Sequence, residues 1–193
     1  VTPFEYVLAF VSIVVGLAVA DLATSLHRLL RARARVRWDW LALLAAVLVA
    51  LTILQFWWSF YHAGQARAWR VYGQFLPLLA LVVVLVLLAA AALPDEVPAD
   101  GLQLHDYYAE NARYFWTLFA IFLALASLVS VLPAIGRVAP GPLMASQVAN
   151  VAVALFAGSL AVVPRRPYHR VAVPLLLLVL GGLWSRLRLE PLA

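Results

Sequence analysis

The sequence predicts an all-α polytopic integral membrane protein, a single bundle of six transmembrane helices, and three observations lead there. Hydrophobic residues make up 66% of the 193 positions and charged residues only 12%. A soluble domain carries roughly 45–50% apolar and about 25% charged residues, so this chain has too little polar surface to cover a globule in water. Apolar runs close to the length that crosses roughly 30 Å of hydrocarbon, about 20 residues, recur along nearly the whole chain. Tryptophans 38, 40, 57, 58, 69, 116 and 184 fall near the ends of those runs, as an aromatic belt at the membrane surfaces requires. A secreted disulfide scaffold, a disordered chain and a cytosolic enzyme are excluded together.

Taken in order, the first span runs over residues 3–30 and is interrupted by Glu5 and Asp21. It is long, holds acids and has no basic segment before it, so it is expected to be a retained helix and not a cleaved signal peptide. The second covers 40–61 and the third 75–93, stopping at Pro94 as a helix does before a proline. Residues 94–113 have soluble-like composition and read as a loop with an interfacial helix. Asp95, Pro98, Asp100 and Gly101 mark the turn, and Leu104, Tyr107, Tyr108 and Asn111 follow at helical spacing. The fourth span is expected over 114–135 and the fifth over 142–163, ending at Pro164. The sixth, 168–187, is the shortest in apolar content and contains Pro174, Gly181 and Gly182. It spans if its flanking polar residues reach outward to the interfaces. No internal repeat suggests a second domain, so residues 1–193 form a single helical domain without the matched broken helices of an inverted-repeat transporter.

The net charge of +5 and pI near 10.1 suggest nucleic acid, but lysine is absent and the 14 basic residues are arginines placed between apolar runs. That is an orientation pattern, with no nucleic acid implied. Arg31, Arg33, Arg35 and Arg37 crowd the first connection, which places residues 31–38 in the cytoplasm and the N-terminus outside. Abundant Ala, Leu, Val and Arg without lysine is the composition of a GC-rich bacterial genome, hence an expected bacterial inner membrane. Missing cysteine removes disulfides, thiol nucleophiles and Cys-based zinc sites. Missing lysine removes a Schiff base and the Walker lysine. The histidines at 27, 62, 105 and 169 form no HxxxH or HxxE pair, so no haem, metal or other cofactor is expected.

Ionisable groups at bilayer depth cost about 2.5–3.5 kcal/mol even on insertion scales, so polar residues inside the spans require a partner or a role. Asp21 lies about nine residues inside the arginine cluster. It reads either as an anchor paired with an arginine or as a proton or cation site. Thr52, Gln55, Ser59 and His62 follow at steps of three, four and three and share one stripe of the second helix, which is not expected to face lipid. The fifth helix is the most polar inside, with Gln147 and Asn150 near its start, and is expected to sit centrally. Ser12, Gly16 and Ala20, and again Ala154 and Gly158, form small-residue stripes that permit close helix packing.

These residues point to a small channel or carrier for a small solute or ion, with Asp21, Thr52, Gln55, Ser59, Gln147 and Asn150 along its route and no catalysis. The alternative is a non-catalytic accessory or structural subunit that packs through its small residues. Expected partners are membrane lipids, a second copy of the chain or a membrane protein.

Overall fold

The computed structural model describes residues 3–65, 72–132 and 140–184. Six helices account for nearly all of them: α1 (Pro3–Arg31), α2 (Trp40–Gln65), α3 (Tyr72–Ala92), α4 (Leu104–Val131), α5 (Pro140–Val162) and α6 (Arg166–Trp184). Four, drawn from α1 to α4, are long and apolar enough to cross a membrane. In α5 the apolar stretch is shorter, Gln147–Val162. The chain is an all-helical membrane bundle.

Helix bounds match the expected spans closely except in one place. Residues 104–113 are not a separate interfacial element, because α4 runs unbroken from Leu104 to Val131. At about 1.5 Å per residue it is roughly 42 Å long, so its first turns stand clear of the hydrocarbon. Asn111 and Thr117 each return a side-chain hydrogen bond to the carbonyl four residues back, at 3.1 and 2.7 Å, and nothing breaks the ladder where polar composition gives way to apolar. The predicted ends at 135 and 187 lie outside the described residues.

The helices form a ring in the order α1, α3, α4, α5, α6, α2, and α2 also packs across the ring against α3 and α4. Fully buried Leu48 and Ile53 of α2, Leu85 and Leu88 of α3, Trp116 and Phe119 of α4, and Leu176 of α6 fill the centre. The expected central place for α5 is not observed. It packs chiefly against α4 and α6 and turns Val148, Val151, Leu155 and Val162 outward. Near its start Asn150 and Gln147 pair along the helix itself, so they do not demand a buried position, and Ser159 near its end bonds across to α6.

One end of the bundle is a polar assembly that ties three connections together. Val36 and Arg37 form a short parallel ladder with Leu102 and Gln103, which no local pattern in the sequence announces. Gly101 makes it possible: its φ is +102°, and a Cβ there would stand 2.9 Å from the Arg35 carbonyl oxygen, a conformation and an approach that only glycine accepts. On α1, Ser25 donates to the Asp95 carboxylate at 3.3 Å and Arg28 to the Asp95 carbonyl at 2.7 Å. Asp39 caps α2, its Oδ1 accepting the Leu41 amide at 3.3 Å, as an N-cap aspartate does. Its Oδ2 meets Nη2 of Arg166, the first residue of α6, at 2.8 Å. One carboxylate thus closes the N-terminus of α2 and fixes the start of α6.

Candidate functional site

Two concavities share α4, α5 and α6 at different depths. The deeper is a cleft of about 270 Å³ where these helices meet α2, lined by Thr52, Gln55 and Ser59 of α2, Ser127 and Ser130 of α4, and Asn150 of α5, with Phe56, Phe122 and Leu180 as apolar walls. The Phe56 and Phe122 rings meet edge to face, their centroids 6.2 Å apart. Counting about 1.5 Å per residue from Asp39, Thr52 to Ser59 lie roughly 20–30 Å from the polar end, in the half of the bilayer remote from it.

The expectation that the stripe turns away from lipid holds for buried Thr52 only: Gln55 is half-buried, and Ser59, like Ser130 and Asn150, is exposed. The polar groups of the cleft bond along their own helices. Thr52 donates to the Leu48 carbonyl at 2.7 Å, Gln55 to the Ser59 hydroxyl at 2.9 Å, and Asn150 to the Gln147 side-chain carbonyl at 3.1 Å. Ser130 donates to the Ser127 carbonyl at 2.7 Å. Local pairing satisfies donors that hydrocarbon would otherwise strand without drawing the walls of the cleft together. Among the described residues no ionisable side chain lines the cleft, which therefore offers hydrogen-bonding groups and no fixed charge.

The other candidates lie elsewhere. Gln147 supports Asn150 from the same helix and is not part of the lining. Asp21, on α1, is remote from the cleft, half-buried, and paired with no arginine among the described residues; its Oδ2 is enclosed without a hydrogen-bond partner. The expected arginine anchor is not formed because Arg28 turns instead to the Asp95 carbonyl, beyond the helix end. Ser12 accepts from the Trp57 indole at 3.4 Å, but Gly16 and Ala20 face outward. Ala154 and Gly158 border an apolar groove against Ala120 and Ala124 of α4, and a Cβ on Gly158 would meet Ala120 at an ordinary 3.8 Å. The side chain of His62 lies outside the described residues.

The second concavity, about 550 Å³, lies at the polar end between the first turns of α4, the end of α5 and the start of α6. Its lining residues Tyr108 and His169 belong to a directed hydrogen-bond chain that starts at Trp116 behind them. Trp116 is wholly buried and no belt residue; its indole donates to the Tyr108 oxygen at 3.0 Å, and Tyr108 stands 2.8 Å from His169 Nδ1. His169 Nε2 stands 2.8 Å from the Val163 carbonyl, which only accepts, so Nε2 carries the proton. Nδ1 is then the acceptor and Tyr108 the donor. Tyr168, beside it, shares a 2.5 Å hydrogen bond with Ser159. In the sequence Tyr108 stands out only as part of a helical pattern and His169 only as a poor metal ligand. No group of three or more His, Cys, Asp or Glu gathers among the described residues.

Between the two concavities α4, α5 and α6 present Trp116, Phe119, Ala157, Val173 and Leu176, all buried. Along α4 the interval from Thr117 to Phe122 is about 7.5 Å, and this apolar layer is a septum. The chain matches no protein-family model, no curated protein and no solved structure.

His169 stands in the arginine-flanked turn Arg165–Arg170, at the surface end of α6. Burial pushes its pKa below the ordinary 6.5, against the smaller opposing influence of the Val163 and Leu160 carbonyls. The unfolded chain therefore takes up the proton first as pH falls, and native stability is lost as pH drops through the ordinary histidine range. The melting temperature of the protein in detergent is expected to fall between about pH 7.5 and pH 5. His169→Gln should flatten that part of the profile, and a variant profile parallel to the wild type would assign the acid sensitivity to another group.

Proposed function

We propose that this is a non-catalytic integral membrane protein that carries a small, uncharged, hydrogen-bonding solute through the cleft among α2, α4, α5 and α6. The observation that supports the reading is convergence: Thr52, Gln55 and Ser59 of α2 and Asn150 of α5 meet Ser127 and Ser130 of α4 around one concavity. Amides and hydroxyls exchange hydrogen bonds with a neutral solute at little desolvation cost, whereas a bare ion would need charged or densely packed polar ligands to leave water. The septum favours a carrier over an open pore. A solute in the cleft passes to the polar end only when the layer around Phe119 and Leu176 shifts. Asp21 has no part in this route.

The test is stopped-flow swelling of proteoliposomes challenged with urea, glycerol and a small sugar. Wild-type protein is expected to raise permeability to at least one of them over protein-free vesicles. Gln55→Leu with Asn150→Leu should abolish most of that rise while leaving helical content and melting temperature near wild type. Unchanged permeability in the folded double variant rejects the cleft as the route.

In the same reading the membrane is a bacterial inner membrane with the polar end in the cytoplasm. The arginines of the first connection support that side, and the ladder between residues 36–37 and 102–103 means that the first and third connections share it. Reporter fusions after Arg37 and after Gly101 are expected to give the same cytoplasmic signal. A periplasmic signal at either position refutes the orientation.

A second reading, an accessory subunit, draws on α1. Gly16 is open, with nothing within 4 Å of where a Cβ would stand, and Ile13, Leu17 and Val19 beside it are exposed. If this face receives another helix, Gly16→Leu should abolish co-purification with a second tagged copy or a membrane partner. Retained assembly removes the reading.

A further inference from the structure

We propose that the concavity at the polar end is a binding site for a phosphate-bearing anion, held between Arg113 of α4 and Arg166 of α6. This site is separate from the cleft, and the inference stands whatever the cleft conducts.

Charge is the first ground. The lining contains the guanidinium groups of Arg113 and Arg166, the imidazoles of His105 and His169, the Tyr108 phenol and the Thr117 hydroxyl. Among the described residues no carboxylate is in the lining itself, but Asp106 lies 3.3 Å from His105 Nδ1, so Arg113 is the cation that carries the argument. Arg113 is exposed and has no ion pair among the described residues, so its charge is available. Arg166 is held in place by Asp39 through Nη2 at 2.8 Å, and with its Nε enclosed it offers an anion only the part of the guanidinium that remains exposed, about a quarter of the side chain. A fixed arginine together with an unpaired one makes a two-sided clamp, and the planar guanidinium fork matches phosphate oxygens. His169 contributes shape and not charge, because both ring nitrogens are already engaged.

Shape is the second. At about 550 Å³ the open concavity has room for an organic group beside a phosphate. Away from the arginines the lining becomes Ala109, Ala112, Leu160, Ala161 and Val162, a small-residue apolar ramp that leads into the hydrocarbon. Val162 is 79% exposed, so the ramp is open sideways to the bilayer. A phosphodiester headgroup with its first acyl carbons fits this profile, and so does a free organophosphate that uses only the polar end.

The test measures the melting temperature of the purified protein in neutral detergent against three probes: dioleoyl phosphatidylglycerol, dioleoyl phosphatidylcholine and sn-glycerol 3-phosphate. Half-saturating concentrations are compared for wild type, Arg113→Gln and Arg170→Gln. Arg170 is exposed at the same end but outside the lining, so it controls for general surface charge. Stabilisation by phosphatidylglycerol and not by phosphatidylcholine, weakened about tenfold by Arg113→Gln and unchanged by Arg170→Gln, supports the site with a lipid headgroup as its ligand. The same pattern with glycerol 3-phosphate supports it with a free organophosphate. Equal stabilisation by both lipids, equal weakening by both variants, or no stabilisation by any probe overturns it.

Discussion

The structure depends on one constraint: hydrocarbon supplies no hydrogen-bond partner, so polar groups inside the spans are driven to find one on the protein, with Asp21 Oδ2 an exception among the described residues. In this chain the nearest partner is one turn away on the same helix. Thr52 returns to Leu48, Gln55 reaches Ser59, Asn150 reaches Gln147, and Ser159 turns back to Phe156. Such bonds form before helices meet and survive wherever they dock. Around the cleft the packing between helices is therefore left to apolar contacts, whereas Trp57 to Ser12, Tyr108 to His169 and Ser159 to Tyr168 join helices elsewhere. The cleft stays open because nothing polar draws its walls together.

The polar end follows the opposite rule. There the connections meet water, and long-range bonds set the geometry. Asp39 and Arg166 are 127 positions apart, and Arg28 and Asp95 are 67 apart. A buried ion pair gives little net stability against an apolar substitute, yet removing one partner is costly because it strands the other. The Asp39 carboxylate is nearly enclosed, with a relative exposure of 6%, and it also serves as the cap of α2. Its role is positional: it sets the start of α6 against α2, and so sets where Arg166, Tyr168 and His169 stand.

This division explains what the sequence discloses. Hydropathy locates all six helices, because the exclusion of water acts on each helix alone and leaves its mark in local composition. The stripe at Thr52, Gln55 and Ser59 is legible for the same reason, since helical period places those side chains on one face before any neighbour is known. That Asn150 joins them is not legible, because it depends on the rotation of α5 about its axis. Asp39, Arg166, Tyr108 and His169 look in the sequence like connection or pattern residues. Their signal is a pairing across long stretches of chain, which a single sequence does not carry. Trp116 looks like a belt residue because it follows an expected helix start at 114, but α4 begins at Leu104, about three turns earlier, and that places the indole inside the bundle.

The true position of Trp116 matters for how the two concavities relate. Its ring packs on Phe119 at 5.7 Å and on Phe115 at 4.9 Å between centroids, inside the septum, while its indole nitrogen donates to Tyr108 in the wall of the upper concavity. The same side chain therefore belongs to both. Displacing Trp116 to let a solute cross would break the bond to Tyr108, loosen the tyrosine that His169 accepts from, and reshape the surface beside Arg113 and Arg166. If the cleft carries a solute and the groove an anion, as proposed above, the coupling is reciprocal: an anion that prefers the intact Tyr108–His169 wall would hold the septum closed, and a shifted septum would weaken its hold on the anion. One buried indole thus links the apolar layer around Phe119 to the Tyr108–His169 wall.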